Sequence, residues 1–337
     1  MRRLTKPKPD SERGAAGVLV AGIMLVLIGA GALAVDAGQI YAERAQLQNG
    51  ADAGALAVLD ACNETGCTQA AAEGIAQGMA DGNSNDGSST VFEVDQSVAN
   101  QVTVRTSTRD GLSGAGFLQK MFSAALNAPP ATVGAHATAA LTPPGGGSGF
   151  PLAISDNCFN LSTASPTAEV QKISYKPGGT CTGPSGAQIP GGWGWLDQSS
   201  PCEATTEVGT NDIGSDPGNN PPSGCEAILL DWKATILAGG EVKVAFPIFD
   251  DATNQGQNGQ FHIIGYATFK IWGWKFGNNH AYEFRNKATD PNMTSALACS
   301  AGQDRCVIGQ FVKFESVASF VGPPGAYLGT SIAHLIN

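Results

Sequence analysis

Gly14 to Val35 is a run of 22 residues without a charged side chain, preceded by Arg2, Arg3, Lys6, Lys8 and Arg13 and followed at once by Asp36. As a helix rising about 1.5 Å per residue it would be about 33 Å long, enough to cross the hydrocarbon core of a bilayer. Whatever follows residue 35 is therefore held at a membrane or sent across one. Only Asp10 and Glu12 offset the basic residues ahead of the span, so the positive-inside bias places the N-terminus in the cytoplasm and residues 36–337 outside. Two readings export the same residues. One is a retained signal-anchor; the other is a secretory signal cleaved after Ala34, because Val18–Ile28 is the strongly apolar part and Ala32-Leu33-Ala34 is an acceptable small-x-small site. The helical pattern beyond Ala34, where a peptidase needs a loop, favours the anchor.

The cysteines agree with export. They fall as Cys62/Cys67, Cys158/Cys181, Cys202/Cys225 and Cys299/Cys306, an even set that an oxidising compartment can pair. Eight cysteines allow about 105 connectivities, and the short spacings favour neighbour with neighbour. No C-x-x-C occurs and no histidine lies close to a cysteine, so no metal site is expected. After the span the chain carries 14 basic and 27 acidic residues. That balance disfavours nucleic acid or anionic lipid as a partner, because both need a basic surface.

From Ala37 to about Met79 the chain is rich in Ala, Gln, Leu and Glu, with Ile40, Leu47, Ala51 and Val58 at helical spacings. The pattern predicts a helix continuing the span, weakened at Gly50 and Gly54 by up to about 1 kcal/mol each. Asp81–Ser89 reads as a loop. Val91–Asp95, Val102–Thr108 and Thr132–Leu141 read as strands, and Phe117–Leu126 as a short helix with Phe117, Met121, Phe122 and Leu126 on one side. Pro143 to Gly149, reading PPGGGSG, is a linker by composition. Beyond it, strand-like runs at Ile228–Trp232, Glu241–Phe249, Phe261–Trp274 and Cys306–Phe320 lie between stretches rich in Gly, Pro, Asn and Ser, as in an irregular barrel or sandwich stapled by disulfides.

The expected fold is thus α+β. A tail of residues 1–13 precedes a transmembrane helix at 14–35. A helical stalk with a small α/β unit fills 36–142, a linker 143–149, and an all-β domain 150–337.

Catalytic patterns are lacking. His136, His262, His280 and His334 lie in unlike contexts, no H-E-x-x-H is present, and no serine has glycine at both −2 and +2. Asp250 and Asp251 are adjacent and read as turn residues rather than as a catalytic pair. Asp81, Asn83, Asn85 and Asp86 imitate a calcium loop, but Gly87 and Glu93 each fall one place late, which favours a solvated turn. No cofactor, metal or catalytic residue is expected. Two binding features stand out. Ala30, Ala34 and Gly38, four apart, form a small-residue face on which a second membrane helix can pack, although small residues are also common in such spans. Trp193 and Trp195 lie in a tryptophan-rich region with Trp232, Trp272 and Trp274; they either stack on a ligand or fill one face of a strand.

Taken in order, Glu12-Arg13-Gly14-Ala15-Ala16, the apolar span, Leu33-Ala34-Val35-Asp36-Ala37-Gly38, Tyr41, Arg44 and Leu47-Gln48-Asn49-Gly50-Ala51-Asp52-Ala53-Gly54-Ala55-Leu56-Ala57 resemble the N-terminal domain of the TadG-like (TadE/TadG) proteins of Flp, or tight-adherence, pilus assembly. The D-x-S-x-S metal site of many such proteins is missing, so metal-dependent adhesion does not carry over. Neither does the prepilin Gly-x4-Glu processing site, since Val18 and Leu19 stand four and five places after Gly14. The resemblance implies a non-enzymatic, membrane-anchored assembly component, minor-pilin-like, whose partners are other pilus-assembly membrane proteins or pilins, with lipid around residues 14–35. The alternative is a tethered surface module that binds glycan or protein through the β domain, as cell adhesion requires.

Overall fold

A computed structural model describes residues 12–63, 66–159, 161, 169–175, 181–186, 188–189, 191–209, 213–216, 221–253, 259–299, 302, 304–312, 314–315, 326–327 and 330–336. Most of the expected cytoplasmic tail, and residues 316–320 of the last expected strand run, lie outside these.

Helix α1, Glu12–Asn63, is 52 residues long and runs unbroken through Gly50 and Gly54. At about 1.5 Å per residue it is a rod of about 78 Å, long enough to cross a bilayer and rise well above it. The sequence pattern suggested one helix to Met79, but the chain reverses instead. Gly66 takes φ +72, a left-handed conformation that costs glycine little, and its N–H donates to the Cys62 carbonyl at 3.0 Å. A Cys62–Cys67 disulfide clips the turn. Helix α2, Gln69–Gly82, then starts at Thr68, whose side-chain oxygen accepts the Ala71 N–H.

Helices α1 and α2 cover one face of a sheet built from β1 (Ser89–Asp95), β2 (Gln101–Thr108) and β3 (Gly134–Thr142). All pairings among the three are antiparallel, with Val94 opposite Val104 and Val104 opposite Ala137. Alternation along β2 sends Val102, Val104, Thr106 and Thr108 inward. The two inward threonines satisfy their hydroxyls on backbone carbonyls, Thr106 on Leu47 and Thr108 on Val133, each at 3.0 Å. Ala51, Ala55, Val58, Ala72, Ala76, Val94, Val102, Val104, Ala137, Ala139 and Leu141 make this core.

Three connections differ from expectation. The amphipathic pattern of Phe117–Leu126 does not become an α-helix. Leu118 and Ala131 exchange backbone hydrogen bonds at 2.7 and 3.2 Å, and only a 3-10 turn, Ser123–Leu126, remains. Ten isolated residues are too few for a stable helix, and acceptors on α1 take the N–H groups of Met121, Phe122 and Ser123. Nor is 143–149 a free linker: Gly146–Gly149 pairs as a strand with Ala204–Glu207, Ser148 Oγ lying 2.7 Å from Thr205 Oγ1. Finally, the terminal strand Thr330–Ile336 leaves the β domain and pairs antiparallel with β3, Ala333 opposite Leu141. Phe314–Glu315 in turn pairs parallel with Thr330–Ser331 in the same sheet, so the strands of the β domain from Leu152 to Val312 lie, in chain order, between β3 and these last two strands of the first sheet.

The β domain is built on a larger sheet. The strands Ile213–Asp216, Trp193–Leu196, Leu152–Ser155, Val242–Thr253 and Gln260–Lys275 lie side by side, and Ile213 pairs back to Phe261, closing a ring of five. Its core is aromatic: Trp193, Trp195, Phe246, Phe269, Trp274, Phe276 and Phe311 are each at most 1 % exposed. Ile228–Trp232, expected as a strand, belongs to helix α3, Cys225–Leu237; its buried Cys225, Leu229 and Ile236 recur at the helical period. The cysteines join as sequence neighbours, Cys158–Cys181, Cys202–Cys225 and Cys299–Cys306. The second of these pins the first residue of α3.

Candidate functional site

The lower half of α1 is an exposed apolar surface on which no described residue packs. Its apolar window has mean hydropathy 2.7 and is 0 % buried, long and apolar enough to cross a membrane. Val18 and Leu25 are 76 % and 75 % exposed. A helix apolar all round, with nothing packed on it, suits lipid and fits a single-pass membrane anchor. Ala30, Ala34 and Gly38 are all exposed, and a methyl placed on Gly38 would meet nothing within 4 Å. The face is open to a second helix, and no described residue of this chain occupies it.

At the end of this span stands Asp36, only 4 % exposed. Its two carboxylate oxygens accept the Phe122 N–H at 2.9 Å and the Ser123 N–H at 2.6 Å, while Gln39 Oε1 accepts the Met121 N–H at 3.2 Å. Hydrogen bonds from Ser123, and then from the Phe122 N–H, outweigh the burial penalty and hold the carboxyl below the usual aspartate range. An anionic acceptor at the start of the 3-10 turn Ser123–Leu126 makes these bonds charge-assisted. Asp36 thereby ties the 117–131 connection to the rod at its membrane exit, a role that the sequence marked only as the end of the apolar run.

Further along, Gly50 and Gly54 prove to be contact residues. A Cβ at Gly50 would stand 3.0 Å from the Ala80 Cα, and one at Gly54 3.5 Å from the Ala76 Cα. The available signal was the match of Gly-x3-Gly on α1 with Ala72, Ala76 and Ala80 on α2, small residues four apart on both partners. This close approach lies within the chain and is separate from the face at Ala30, Ala34 and Gly38, which the sequence offers to a second membrane helix.

The tryptophans do not form a platform. Trp193 and Trp195 are each 1 % exposed and meet edge to face at 5.2 Å between centroids. Aromatics at i and i+2 on one strand face inward together, and this strand lies in the ring. Sugar stacking at these positions is thereby corrected to core packing. Of the acidic residues, Asp250 meets His262 at 2.6 Å between Oδ1 and Nδ1, joining two adjacent strands at an irregularity in their pairing. Burial, then the neighbouring Asp250, pushes the Asp156 carboxyl up. Among the described residues no hydroxyl or thiol bonds to His262, and no group of three His, Cys, Asp or Glu side chains is placed to hold a metal. In the calcium-like loop, Asp81 accepts from Ser89 N at 2.9 Å and Asp86 from Gly111 N at 2.9 Å. These carboxylates brace turns. A groove of about 190 Å³ lies at the far end of α1, lined by Leu59, Cys62, Asn63, Val98, Asn100 and Leu141, with no acid, base or nucleophile in its wall.

Residues 14–72, from the start of the span to the first turn of α2, match the family model described as putative Flp pilus-assembly TadE/G-like. No curated protein and no solved structure matches the chain. The match covers the anchor, Asp36, Gly50, Gly54 and the clipped turn. It stops before the sheet.

Proposed function

We propose that this chain is a non-enzymatic, membrane-anchored component of Flp/Tad-type pilus assembly, minor-pilin-like or anchoring, with its N-terminus cytoplasmic and its folded part outside. The observation that carries this is that the family match takes in all of the unbroken helix α1 from Gly14 onward, together with the turn that follows it. An open apolar span feeds without a break into a rod whose upper half is packed, so force or position imposed on the span passes directly to the folded part. Lipid surrounds residues 14–35. The face at Ala30, Ala34 and Gly38 receives the span of another assembly protein or pilin, where small residues let backbones approach closely.

The experiment is an in-frame deletion complemented by the full chain and by a Gly38→Leu chain. Loss of surface pili on deletion, restored by the full chain but poorly by the variant at equal membrane level, is the expected result. Undiminished piliation in the deletion strain would remove the assembly role. Co-purification of other pilus components from detergent-solubilised membranes, reduced by the same substitution, assigns the face.

A further inference from the structure

The connection 109–133 carries exposed apolar side chains at two different heights. Met121 and Phe122 are 65 % and 44 % exposed, and their N–H groups are fixed to Gln39 and Asp36. Leu112 is 102 % exposed, but its neighbour Gly111 is bonded to Asp86, and Asn85 beside that to Gln46. Read along α1 at about 1.5 Å per residue, Met121 and Phe122 attach within about 6 Å of Val35, and Leu112 attaches about 16 Å out. The polar interfacial layer on each side of a bilayer is about 5–8 Å thick. The first pair falls inside that layer and Leu112 beyond it.

On this basis we propose that residues 117–123 form a second membrane contact, in which Met121 and Phe122 enter the lipid interface of the leaflet that α1 leaves. The occupant is lipid because the pair is continuous with the apolar surface of the span, where Leu33 is 65 % and Val35 44 % exposed. Its backbone is also held rigidly at that level, both Asp36 oxygens being committed to it. Half-buried Lys120 stands next to the pair, a cation with an apolar stem suited to lipid phosphates. A helix crossing alone is free to tilt; one with a side contact welded to its exit is not.

The inference rests on α1 being a membrane anchor, and the test separates the two. The full chain is reconstituted in phosphatidylcholine nanodiscs whose acyl chains are brominated either near the carbonyl or near the bilayer centre. Emission is compared among wild type, Leu25→Trp, Phe122→Trp and Leu112→Trp. All five native tryptophans lie in the β domain, Trp193, Trp195 and Trp274 buried and Trp232 and Trp272 half-buried, and wild type measures the background they supply. The expected result is loss of most of the emission added by Leu25→Trp with deep bromines and by Phe122→Trp with shallow ones, and none for Leu112→Trp. Quenching of Leu25→Trp without Phe122→Trp overturns the second contact and leaves the anchor standing; a protein partner would then be the occupant to seek. If neither is quenched, the anchor falls and this inference with it. If Leu112→Trp is quenched as well, the folded part lies flat on the membrane and the upright geometry is wrong.

Discussion

Two chemically identical substitutions four residues apart on α1 should act in opposite directions. Gly54→Ala places a methyl 3.5 Å from the Ala76 Cα, the Ala76 carbonyl oxygen and a Val104 methyl, all ordinary contact distances in a buried site. It removes a helix penalty of about 1 kcal/mol and buries one carbon worth about 0.8 kcal/mol, so a gain of about 1–2 kcal/mol is expected. Gly50→Ala gains the same propensity, but its methyl lies 3.0 Å from the Ala80 backbone, which must yield. Overpacking of this kind costs about 1–3 kcal/mol, and the net effect is between neutral and a loss of about 2 kcal/mol. Native-state hydrogen exchange of the α2 amides, in detergent or nanodiscs, reads the local opening energy directly without unfolding the rest. Slower exchange in Gly54→Ala and unchanged or faster exchange in Gly50→Ala is the expected pair of results. Equal protection in both variants would mean that the helices do not approach as closely at Ala80 as described, and the argument from small residues would fail.

Removing the Asp36 carboxylate by Asp36→Ala should free the 117–123 segment and accelerate tryptic cleavage after Lys120, while α2 amides keep their protection. Because hydrogen bonds hold the Asp36 carboxyl below its unfolded value of about 3.9, its contribution is complete above that pH and is lost as pH falls through the lower folded value. Protection of the Phe122 and Ser123 amides from hydrogen exchange, corrected for the intrinsic pH dependence of exchange, should therefore be constant from neutrality to about pH 4 and fall only below. Replacing both Cys62 and Cys67 by serine opens a short loop, sequence separation 5, and should cost the α1–α2 hairpin about 2 kcal/mol; unchanged exchange at the start of α2 would contradict it. In the β domain, Trp193→Phe forfeits a 3.2 Å bond from Nε1 to the Ile173 carbonyl, whereas Trp195 Nε1 has no partner among the described residues. Trp193→Phe should be the more destabilising of the two by about 1 kcal/mol in denaturant melts, and the reverse order would refute the assignment.

What the sequence made legible was local. Charge-free length located the span, two-residue alternation located β1 and β2, and short cysteine spacings suggested the pairing that the structure contains. What it hid depends on residues far apart. The Phe117–Leu126 pattern had a helical period, yet carboxylate and amide acceptors more than 80 residues earlier decide its conformation. PPGGGSG has a linker's composition, yet Gly146–Gly149 finds a partner strand at Ala204–Glu207. Gly50 and Gly54 read as defects until α2 lies against them; a glycine's value at a close approach belongs to its neighbour. The Trp193 and Trp195 alternatives could be decided only by which way their strand faces.

The return of Thr330–Ile336 to β3 gives the β domain two attachments where a linker would give one. Tension on that domain draws on β3 and its neighbour together, parallel to the ladder that runs from Gln101 opposite Ala140 to Ser107 opposite Gly134. Rungs loaded in shear resist in unison, whereas a pull across the strands at a sheet edge peels them one after another. Two covalent joints on adjacent strands thus restrict swivelling of the β domain about the base.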